Sequence, residues 1–325
     1  MSGKIFSMVF VALLLAAQAE AQPTRVSRVG YLAAVSRAAD APRLEAFRQE
    51  LGELGYVEGK NILIDYRHES RGFEPLPALA AELIGLKIDV LVAVTTNAAL
   101  AAKKSTSTIP IVFMGVTDPI GAKLADTLAR PGGNSTGITN MAATLTGKRL
   151  ELLKETFPKI RRVAVLWDPQ APGSTPQWNE SQAPARELGL RLYSMRVSRV
   201  ENYEAAFKDA AKDGNGAVWV TLNPLANSNQ KRIAELAINH RLPSICARGD
   251  YAENGCLMAY GPGYRTEGID GARYVDKILK GAKPAELPVQ QPMKFELLVN
   301  LKTAKQIVVN IPQSVLFRAD KVVKE

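Results

Sequence analysis

Polar residues suited to binding a small charged molecule follow a buried apolar run in the first half of the chain. Thr95-Thr96-Asn97 lie between a predicted strand, Asp89–Val94, and a helix that begins near Ala98. The free backbone N–H groups at the start of a helix bind anions such as a carboxylate. A threonine or asparagine at this place also caps the helix with its own side-chain oxygen. The two roles are compatible, so these residues form the first candidate ligand site.

Other polar residues end two more predicted strands of the first half. Ser36 and Arg37 follow the first strand, where a hydroxyl and a guanidinium could hold a carboxylate, although Arg37 could equally face solvent. Asp118 precedes Pro119, and proline favours the first turn of a helix. We therefore expect Asp118 mainly to cap that helix, with contact to a ligand ammonium as its alternative role.

The second half of the chain offers polar residues at similar places. Asn223 and Arg248 end predicted strands, and Asp250 follows closely, where it could accept an amine. Tyr260 lies near a predicted passage between domains and could stack on a flat ligand. Because ligands of open α/β sheets bind beyond the carboxyl ends of the strands, all these loops are candidates for one shared site.

One motif could indicate an enzyme. Residues 133–137 fit the pattern G-x-S-x-G, but a nucleophile elbow needs a strand before its serine and a helix after it. Here a Pro-Gly loop precedes Ser135 and a predicted strand follows it. The two histidines, His68 and His240, are interpreted as surface residues without a partner acid. An exported serine hydrolase is therefore only an alternative function.

Neither a cofactor nor a metal is predicted. The chain lacks a G-x-G-x-x-G after a strand and a G-x-x-x-x-G-K-[ST], so dinucleotide and P-loop phosphate sites are not expected. It also lacks H-E-x-x-H and any Cys/His ligand cluster. The formal net charge of +9 comes from Lys and Arg scattered in runs of at most two, which indicates a solvated basic surface rather than a nucleic-acid site.

The two cysteines, Cys246 and Cys256, lie at the ends of two predicted strands. An oxidising compartment permits a disulfide between them. The bond requires Cα atoms within about 7 Å, a distance that the sequence alone does not supply. A disulfide and a pair of buried free thiols both stay open at this point.

The N-terminus is typical of a secretory signal peptide. Lys4 precedes an apolar run, Ile5–Ala17, and the small-residue site Ala19-Glu20-Ala21 follows. The run is shorter than the roughly 20 residues that a membrane-spanning helix needs. We expect cleavage near Ala21 and export to the periplasm. With no cysteine beside the site, a lipoprotein anchor is not expected.

Short β-branched runs alternate with longer amphipathic stretches along the rest of the chain, which predicts parallel sheets covered by helices on both faces. The predicted strands are Val26–Leu32, Ile62–Tyr66, Asp89–Val94, Ile109–Gly115, Thr136–Thr139, Val163–Trp167, Leu190–Met195, Ala217–Thr221, Pro243–Ala247, Cys256–Tyr260 and Lys294–Val299. The predicted helices are Pro42–Leu54, Leu76–Ile84, Asn97–Lys104, Pro119–Leu128, Pro184–Leu188, Tyr203–Lys212, Asn227–Asn239, Tyr264–Leu279 and Thr303–Val308.

The second half repeats the first. Arg-Val occurs at positions 28 and 162 and Glu-Leu-Gly at 53 and 187, both 134 residues apart. This predicts two Rossmann-like lobes: residues 22–138 with 262–290, and residues 139–261 with 291–325. Such a division makes the chain cross between lobes several times, which creates a multi-strand hinge. Gly and Pro suggest crossings at Arg130–Gly133, Gly261–Gly263 and Gly281–Pro284.

Several stretches, taken in order, resemble the ABC-transporter substrate-binding family that includes tryptophan- and tyrosine-binding proteins. They are RVGYL (28–32), AFRQELGELGYVEGKN (46–61), VTDPIGAKL (116–124), RPGGNSTGIT (130–139), KRLELLKETF (148–157), LMAYGPGY (257–264), GAKPAELP (281–288) and NIPQSVLFRA (310–319). The resemblance implies a type I periplasmic-binding-protein fold with a ligand held between the lobes. This chain lacks the lipobox cysteine of some relatives, and its cysteine pair is not part of the family pattern.

The expected function is that of a monomeric periplasmic receptor for an ABC importer. It would capture a small molecule by hinge closure and present it to a membrane permease. The expected ligand is an amino acid or another small carboxylate, aromatic ones included. A ligand-sensing subunit of a membrane receptor is the main alternative, and the exported serine hydrolase is the weaker one.

Overall fold

The computed structural model describes residues 26–70 and 73–324. The predicted signal peptide, residues 1–21, lies outside the described residues. The chain folds around two β-sheets, one of five strands and one of seven. Within the described ranges, no helix is long and apolar enough to span a bilayer.

The first sheet has the strand order β2-β1-β3-β4-β5, and all of its strands are parallel. Its strands are β1 (Ser27–Ala33), β2 (Ile62–His68), β3 (Val90–Val94), β4 (Ile111–Val116) and β5 (Ser135–Thr139). Its helices are α1 (Arg37–Glu53), α2 (Leu76–Gly85) and α3 (Thr96–Ser105). β3 and β4 are buried along their whole length, which explains their unbroken apolar sequence.

The second sheet repeats this plan and extends it. Its order is β12-β11-β10-β9-β8-β6-β7, in which β7-β6-β8-β9-β10 match β2-β1-β3-β4-β5. β11 runs antiparallel to β10. The strands are β6 (Arg162–Trp167), β7 (Arg191–Arg196), β8 (Ala217–Val220), β9 (Ser244–Cys246), β10 (Met258–Pro262), β11 (Phe295–Asn300) and β12 (Lys321–Val323).

Nine further α-helices follow α3 among the described residues. They are α4 (Thr146–Thr156), α5 (Ser174–Glu187), α6 (Tyr203–Lys212), α7 (Pro224–Ser228), α8 (Gln230–Asn239), α9 (Gly249–Glu253), α10 (Tyr264–Leu279), α11 (Leu301–Gln306) and α12 (Gln313–Arg318). Together the elements give the predicted α/β architecture of two lobes with mainly parallel sheets.

Each sheet is covered by helices on both faces, and β1 shows how the sequence produces this. Val29 and Tyr31 point to one face, where they join Phe47 of α1 in a core that also includes α10. Leu32 points to the opposite face and joins Leu83 of α2 in a second core. Successive strand residues alternate between faces, so a strand buried on both sides must be apolar throughout.

The chain passes between the lobes three times within the described residues. It leaves the first lobe after β5 and returns at Gly261–Gly263, after which α10 packs on α1. That packing is close, because a Cβ on Gly268 would overlap the carbonyl of Arg43. The third passage lies between Gln290, which bridges to Ile138 of β5, and the start of β11.

Two predicted crossings are wrong. Arg130–Gly133 precede β5 and so lie within the first lobe. Gly281–Pro284 also lie there, because the Thr136 hydroxyl donates to the carbonyl of Leu287 beyond them. Glycine and proline indicate a turn, but they do not show whether the chain passes from one lobe to the other there.

The predicted helix Pro119–Leu128 is also wrong, since this segment forms consecutive turns. The Asp118 carboxylate accepts the Gly121 N–H at 2.9 Å, as an N-cap does, but the helix does not continue beyond this first turn. Lys123 then adopts a left-handed conformation with φ of 55°. Conversely, α5 starts ten residues before the predicted Pro184, because its polar N-terminal half has little apolar periodicity.

The structure joins Cys246 at the end of β9 to Cys256 just before β10 in a disulfide, with Cα atoms 6.6 Å apart. β9 and β10 are neighbouring parallel strands. Because the two strands are adjacent, the Cα atoms of the cysteines lie within the roughly 7 Å that a disulfide requires.

Candidate ligand-binding site

A small polar cavity lies between the lobes, at the carboxyl ends of both sheets. The β3–α3 turn and the end of β4 supply the wall from the first lobe. The start of α5 and the β8–α7 turn supply the wall from the second. The cavity has a volume of about 20 Å³, which is room for about one water molecule. The lobes are therefore closed upon it.

The β3–α3 turn is held in an unusual backbone conformation. Thr95 has φ of 81° and ψ of 163°, a region that a β-branched residue rarely adopts and that often marks a functional site. Its N–H donates to the carbonyl of Met114 at 2.9 Å, which fixes the turn. Its hydroxyl is buried, makes no capping bond and has no hydrogen-bond partner among the described residues.

The turn also directs the start of α3 toward the cavity. Thr96 and Asn97 line it with Thr95, and the first N–H groups of a helix lack partners within it. The Thr96 hydroxyl accepts the backbone N–H of Thr117 at 3.3 Å, which joins this turn to the end of β4. The arrangement can hold an anionic oxygen.

The second lobe lies close to the first at Gly173, the residue before α5. A Cβ built on Gly173 would lie 2.8 Å from the Thr96 hydroxyl and 3.0 Å from the Thr117 hydroxyl. Gly173 itself has φ of −74°, which any residue can adopt. Its glycine identity is therefore required by the close approach of the lobes and not by the backbone.

A tyrosine between two buried arginines links the lobes beside the cavity. The guanidinium carbons of Arg43 in α1 and Arg248 after β9 lie 4.3 and 3.7 Å from the centroid of the Tyr264 ring. The Tyr264 hydroxyl donates to the carbonyl of Ala39 at 2.7 Å. Burial raises the pKa of Tyr264 above its ordinary value, so the ring stays neutral and can stack on both cations.

Each arginine is paired with carboxylates. Arg43 contacts Asp40 and Glu267, both at 2.9 Å. Arg248 contacts Asp250 through two nitrogens, at 2.5 and 2.8 Å. Burial, the largest single effect, lowers the pKa of Arg248, but the charge and hydrogen bond of Asp250, together with the neighbouring tyrosines, outweigh it and raise that pKa above its usual range.

Glu267 combines an ion pair with an unsatisfied oxygen. Its Oε2 atom accepts from Arg43, whereas Oε1 is buried without a hydrogen-bond partner among the described residues. Glu267 is 2% exposed and lines the cavity. A buried carboxylate oxygen without a partner costs free energy, and a water or a ligand in the cavity would supply the missing donor.

Five of the sequence-predicted residues line this cavity: Thr95, Thr96, Asn97, Asn223 and Arg248. The side chain of Asn223 caps α7 by accepting the Ala226 N–H at 2.9 Å. The structure thus brings together candidates from both halves of the chain, because the carboxyl ends of the strands in both sheets face the same cavity.

The other four predicted residues lie outside the cavity. Ser36 caps α1 by accepting the Ala39 N–H, and its own N–H donates to the Ser228 hydroxyl of the opposite lobe at 3.2 Å. Arg37 is exposed at the start of α1. Asp118 belongs to the turn with Gly121 described above. Tyr260 packs on Phe295 with ring centroids 6.2 Å apart.

His68 is also placed differently from the prediction of a surface residue. Its side chain is 12% exposed, and Nε2 lies 3.3 Å from a carboxylate oxygen of Asp40. His240, at the end of α8, is half-buried.

Sequence reasoning missed Arg43 and Glu267. They lie in amphipathic helices, where charged residues ordinarily face solvent, and their contact spans 224 positions. No local pattern shows that α1 and α10 pack together beside the cavity. Gly173 lies in the loop after the predicted strand Val163–Trp167, but its sequence neighbours do not single it out.

The enzyme motif and metal binding can also be checked against the geometry. Ser135 is fully buried at the start of β5, where its hydroxyl donates to the carbonyl of Leu124 at 2.5 Å. This is not the exposed turn of a nucleophile elbow. The described residues contain no group of three or more His, Cys, Asp or Glu placed to hold a metal ion.

Comparison with known proteins identifies relatives of this chain. It is 24% identical over 277 residues to the tyrosine-binding protein of Clostridioides difficile strain R20291, covering 84% of this chain and 79% of that protein. A conserved domain protein from Vibrio cholerae has a similar solved structure, with 28% identity, a TM-score of 0.88 and coverage of 92% and 100%. The ABC domain from Streptococcus pneumonia, solved with L-Trp, gives 25% identity, a TM-score of 0.85 and coverage of 91% and 99%.

These solved neighbours share the predicted type I periplasmic-binding-protein fold. The family described as ABC transporter substrate binding protein matches residues 28–323, nearly the whole described chain. The chain therefore belongs to the ABC transporter substrate binding protein family.

Proposed function

We propose that this protein is the periplasmic receptor of an ABC importer, and that it captures an amino acid or another small carboxylate between its lobes. The supporting observation is the closed polar cavity, which Thr95 and Glu267 line. The buried Thr95 hydroxyl and the Glu267 Oε1 atom have no hydrogen-bond partner among the described residues. The relatives that bind tyrosine and L-Trp favour the same ligand class.

In this proposal the start of α3 receives the ligand carboxylate. The N–H groups of Thr96 and Asn97 and the Thr95 hydroxyl would donate to it. Groups of the second lobe, such as Asn223 and Arg248, would reach the ligand only when the lobes close. A ligand that makes more contacts in the closed form shifts the population toward closure.

The closed receptor would act as an exported monomer that docks on a membrane permease. The signal-peptide pattern of residues 1–21 supports export to the periplasm. The sensor alternative shares the same cavity and differs only in its partner. Pull-down with a permease or with the outer domain of a receptor kinase separates the two.

A thermal-shift screen of the mature protein against amino acids, aromatic acids, sugars and polyamines tests the proposed function. A ligand that binds only the folded state stabilises it by about 2.7 kcal/mol at a hundredfold excess over Kd. We expect a clear rise in Tm with amino acids and none with sugars or polyamines. A rise only with a sugar, or turnover of a serine-hydrolase substrate, would contradict the proposal.

Replacing Thr95 by valine should separate binding from stability. Valine keeps the shape and the backbone conformation but removes the buried hydroxyl that lacks a partner. We expect the unliganded protein to keep or slightly gain stability, because no hydrogen bond is lost. Affinity for the amino acid found in the screen should fall by roughly three- to tenfold, the value of one hydrogen bond.

Thr156→Val is the matched control for this prediction. The Thr156 hydroxyl donates to the carbonyl of Leu152 at 2.7 Å in the second lobe, away from the cavity. Calorimetric titration and urea denaturation should show lower stability and unchanged affinity for this variant. Equal affinities of Thr95→Val and the wild type would exclude Thr95 from the ligand contacts.

A further inference from the structure

A single aromatic ring contacts an arginine from each lobe beside the cavity. We propose that the Tyr264 ring, through its stacking on Arg248, holds the lobes closed and sets how slowly a captured amino acid leaves. Tyr264 does not line the cavity, so it would act as a positioning residue and not as a ligand contact. The inference rests on the proposed function of capture by lobe closure.

Tyr264 belongs to the first lobe. It is the first residue of α10, which packs on α1, and it is 8% exposed. Its hydroxyl donates to the carbonyl of Ala39 in α1 at 2.7 Å. The guanidinium carbon of Arg43, also in α1, lies 4.3 Å from the ring centroid. The ring is therefore fixed to the first lobe by contacts that do not involve the second.

Arg248 reaches the same ring from the second lobe. It follows β9, and its guanidinium carbon lies 3.7 Å from the centroid of the Tyr264 ring. The Arg248 side chain also pairs with Asp250 and lies 5.8 Å from the ring centroid of Tyr251, both in the second lobe. Those two contacts move with Arg248, whereas the stacking on Tyr264 crosses between the lobes and depends on their separation.

The ring also offsets the repulsion between the two arginines. Closure brings the guanidinium groups of Arg43 and Arg248 to one ring, at a place where both side chains are only 2% exposed. Like charges repel more strongly in such surroundings than in water. The negative face of an aromatic ring attracts a guanidinium group. An aliphatic side chain at this position would remove the attraction and leave the repulsion in the closed form.

A contact that crosses between the lobes should act on one step of capture. The amino acid enters while the lobes are apart, so the association rate constant kon should not depend on the stacking. It leaves only after the lobes separate, and a contact that stabilises the closed form slows that separation. Loss of the ring should therefore raise the dissociation rate constant koff and leave kon nearly unchanged.

The kinetics of Tyr264 variants test the proposal, with the common amino acid that binds the wild type most tightly as the probe. Calorimetry gives its Kd, and release of the tritium-labelled amino acid into an excess of the unlabelled one gives koff. We expect Tyr264→Leu to raise koff by roughly five- to thirtyfold, the value of a desolvated cation–π contact. Tyr264→Phe keeps the ring and should release the amino acid nearly as slowly as the wild type.

Fluorinated rings provide a second measurement that does not depend on how well Tyr264→Leu folds. Replacing Tyr264 by phenylalanine, and then by difluoro- and trifluorophenylalanine, changes the shape of the ring little. Each fluorine withdraws electrons from the ring face and weakens its attraction for a cation. We expect koff to rise stepwise along this series. A constant koff along it would overturn the role of the stacking.

Tyr203→Leu is the matched control. Tyr203 is 1% exposed in the core of the second lobe and does not line the cavity. Urea denaturation should show lower stability for both leucine variants, whereas only Tyr264→Leu should release the amino acid faster. An equal rise of koff in both variants would reflect general destabilisation and would overturn the inference.

Two further results would contradict the inference in different ways. If Tyr264→Leu bound more weakly only because kon fell, Tyr264 would act on ligand entry and not on the closed form, while the proposed function would stand. If the wild type bound no amino acid in calorimetry, the proposed function itself would be wrong, and this inference would be wrong with it.

Discussion

Gly173→Ala is expected to weaken ligand binding by roughly tenfold to a hundredfold without unfolding the protein. The new methyl group would lie 2.8 and 3.0 Å from the hydroxyl oxygens of Thr96 and Thr117 in the opposite lobe. Both oxygens belong to short β-branched side chains with little freedom to move away. Overpacking of this kind costs about 1–3 kcal/mol, and here the cost falls only on the closed state.

The open state should not be affected. Gly173 has φ of −74°, so alanine introduces no backbone strain, and separated lobes leave room for its methyl group. We therefore expect an unchanged urea midpoint for the unliganded protein if that form is mostly open. Calorimetry would measure the lost affinity, and small-angle scattering would show a smaller ligand-induced decrease in the radius of gyration than in the wild type.

Gly52→Ala provides the matched control for this change. Gly52 lies in α1, and a Cβ there would meet nothing within 4 Å. Alanine at an exposed helix position should stabilise slightly and leave affinity unchanged. If Gly173→Ala also bound ligand with wild-type affinity, the liganded lobes could not approach as closely as they do in this structure.

The fold was predictable because its signals are local or repeated. Strands such as β3 and β4 are unbroken apolar runs, and the 134-residue repeat matches the strand order of the first sheet, which recurs in five of the seven strands of the second. The loops after these strands could be located in the sequence, so Thr95, Asn223 and Arg248 could be proposed as neighbours. Their meeting at one cavity follows from parallel strands that end on the same side.

The rest of the site depends on distant packing that no local pattern encodes. Glu267 looks like an ordinary solvent-facing helix residue until α10 crosses back to the first lobe and packs on α1. A glycine is needed at position 173 only because Thr96 and Thr117 of the other lobe lie so close to it. Ser36 was predicted as a ligand contact and Asp118 mainly as a helix cap, but both side chains accept nearby backbone N–H groups, which turns them away from the cavity.

Arg149 is expected to have the largest effect on stability of the changes considered. It lies in α4 and is fully buried, and its guanidinium donates to three backbone carbonyls. These belong to Ala142 at 2.6 Å, Tyr260 at 2.8 Å and Ala247 at 3.3 Å. Ala142 follows β5 on the first passage between lobes, and Tyr260 lies in β10, just before the second. One side chain therefore ties two hinge segments together.

The guanidinium is charged under physiological conditions. Burial lowers the pKa of Arg149 to about 9, which still leaves it protonated at neutral pH. The cost of burying this charge is offset by charge-assisted hydrogen bonds, which are stronger than neutral ones. The described residues supply these bonds from carbonyl groups and not from a carboxylate.

Arg149→Met should therefore lower the free energy of unfolding by about 3–5 kcal/mol. Three buried carbonyls would lose the guanidinium donor, at about 1–3 kcal/mol each, although that of Ala142 keeps the Thr146 hydroxyl at 3.3 Å. The avoided cost of burying a charge returns only part of this loss. Arg149→Lys should be intermediate, because an ammonium keeps the charge but lacks the planar array of donors. Urea denaturation followed by circular dichroism would measure all three proteins.

Arg191→Met, at an exposed position of edge strand β7, is the control and should change stability by about 0.5 kcal/mol or less. If Arg149→Met were as stable as this control, the three carbonyls would have to find other donors, and the hinge would not depend on Arg149. If it is destabilised as expected, the remaining folded protein should also bind ligand less tightly. The hinge segments that Arg149 joins position the lobes for closure. Arg149 would then contribute both to the stability of the fold and to ligand binding.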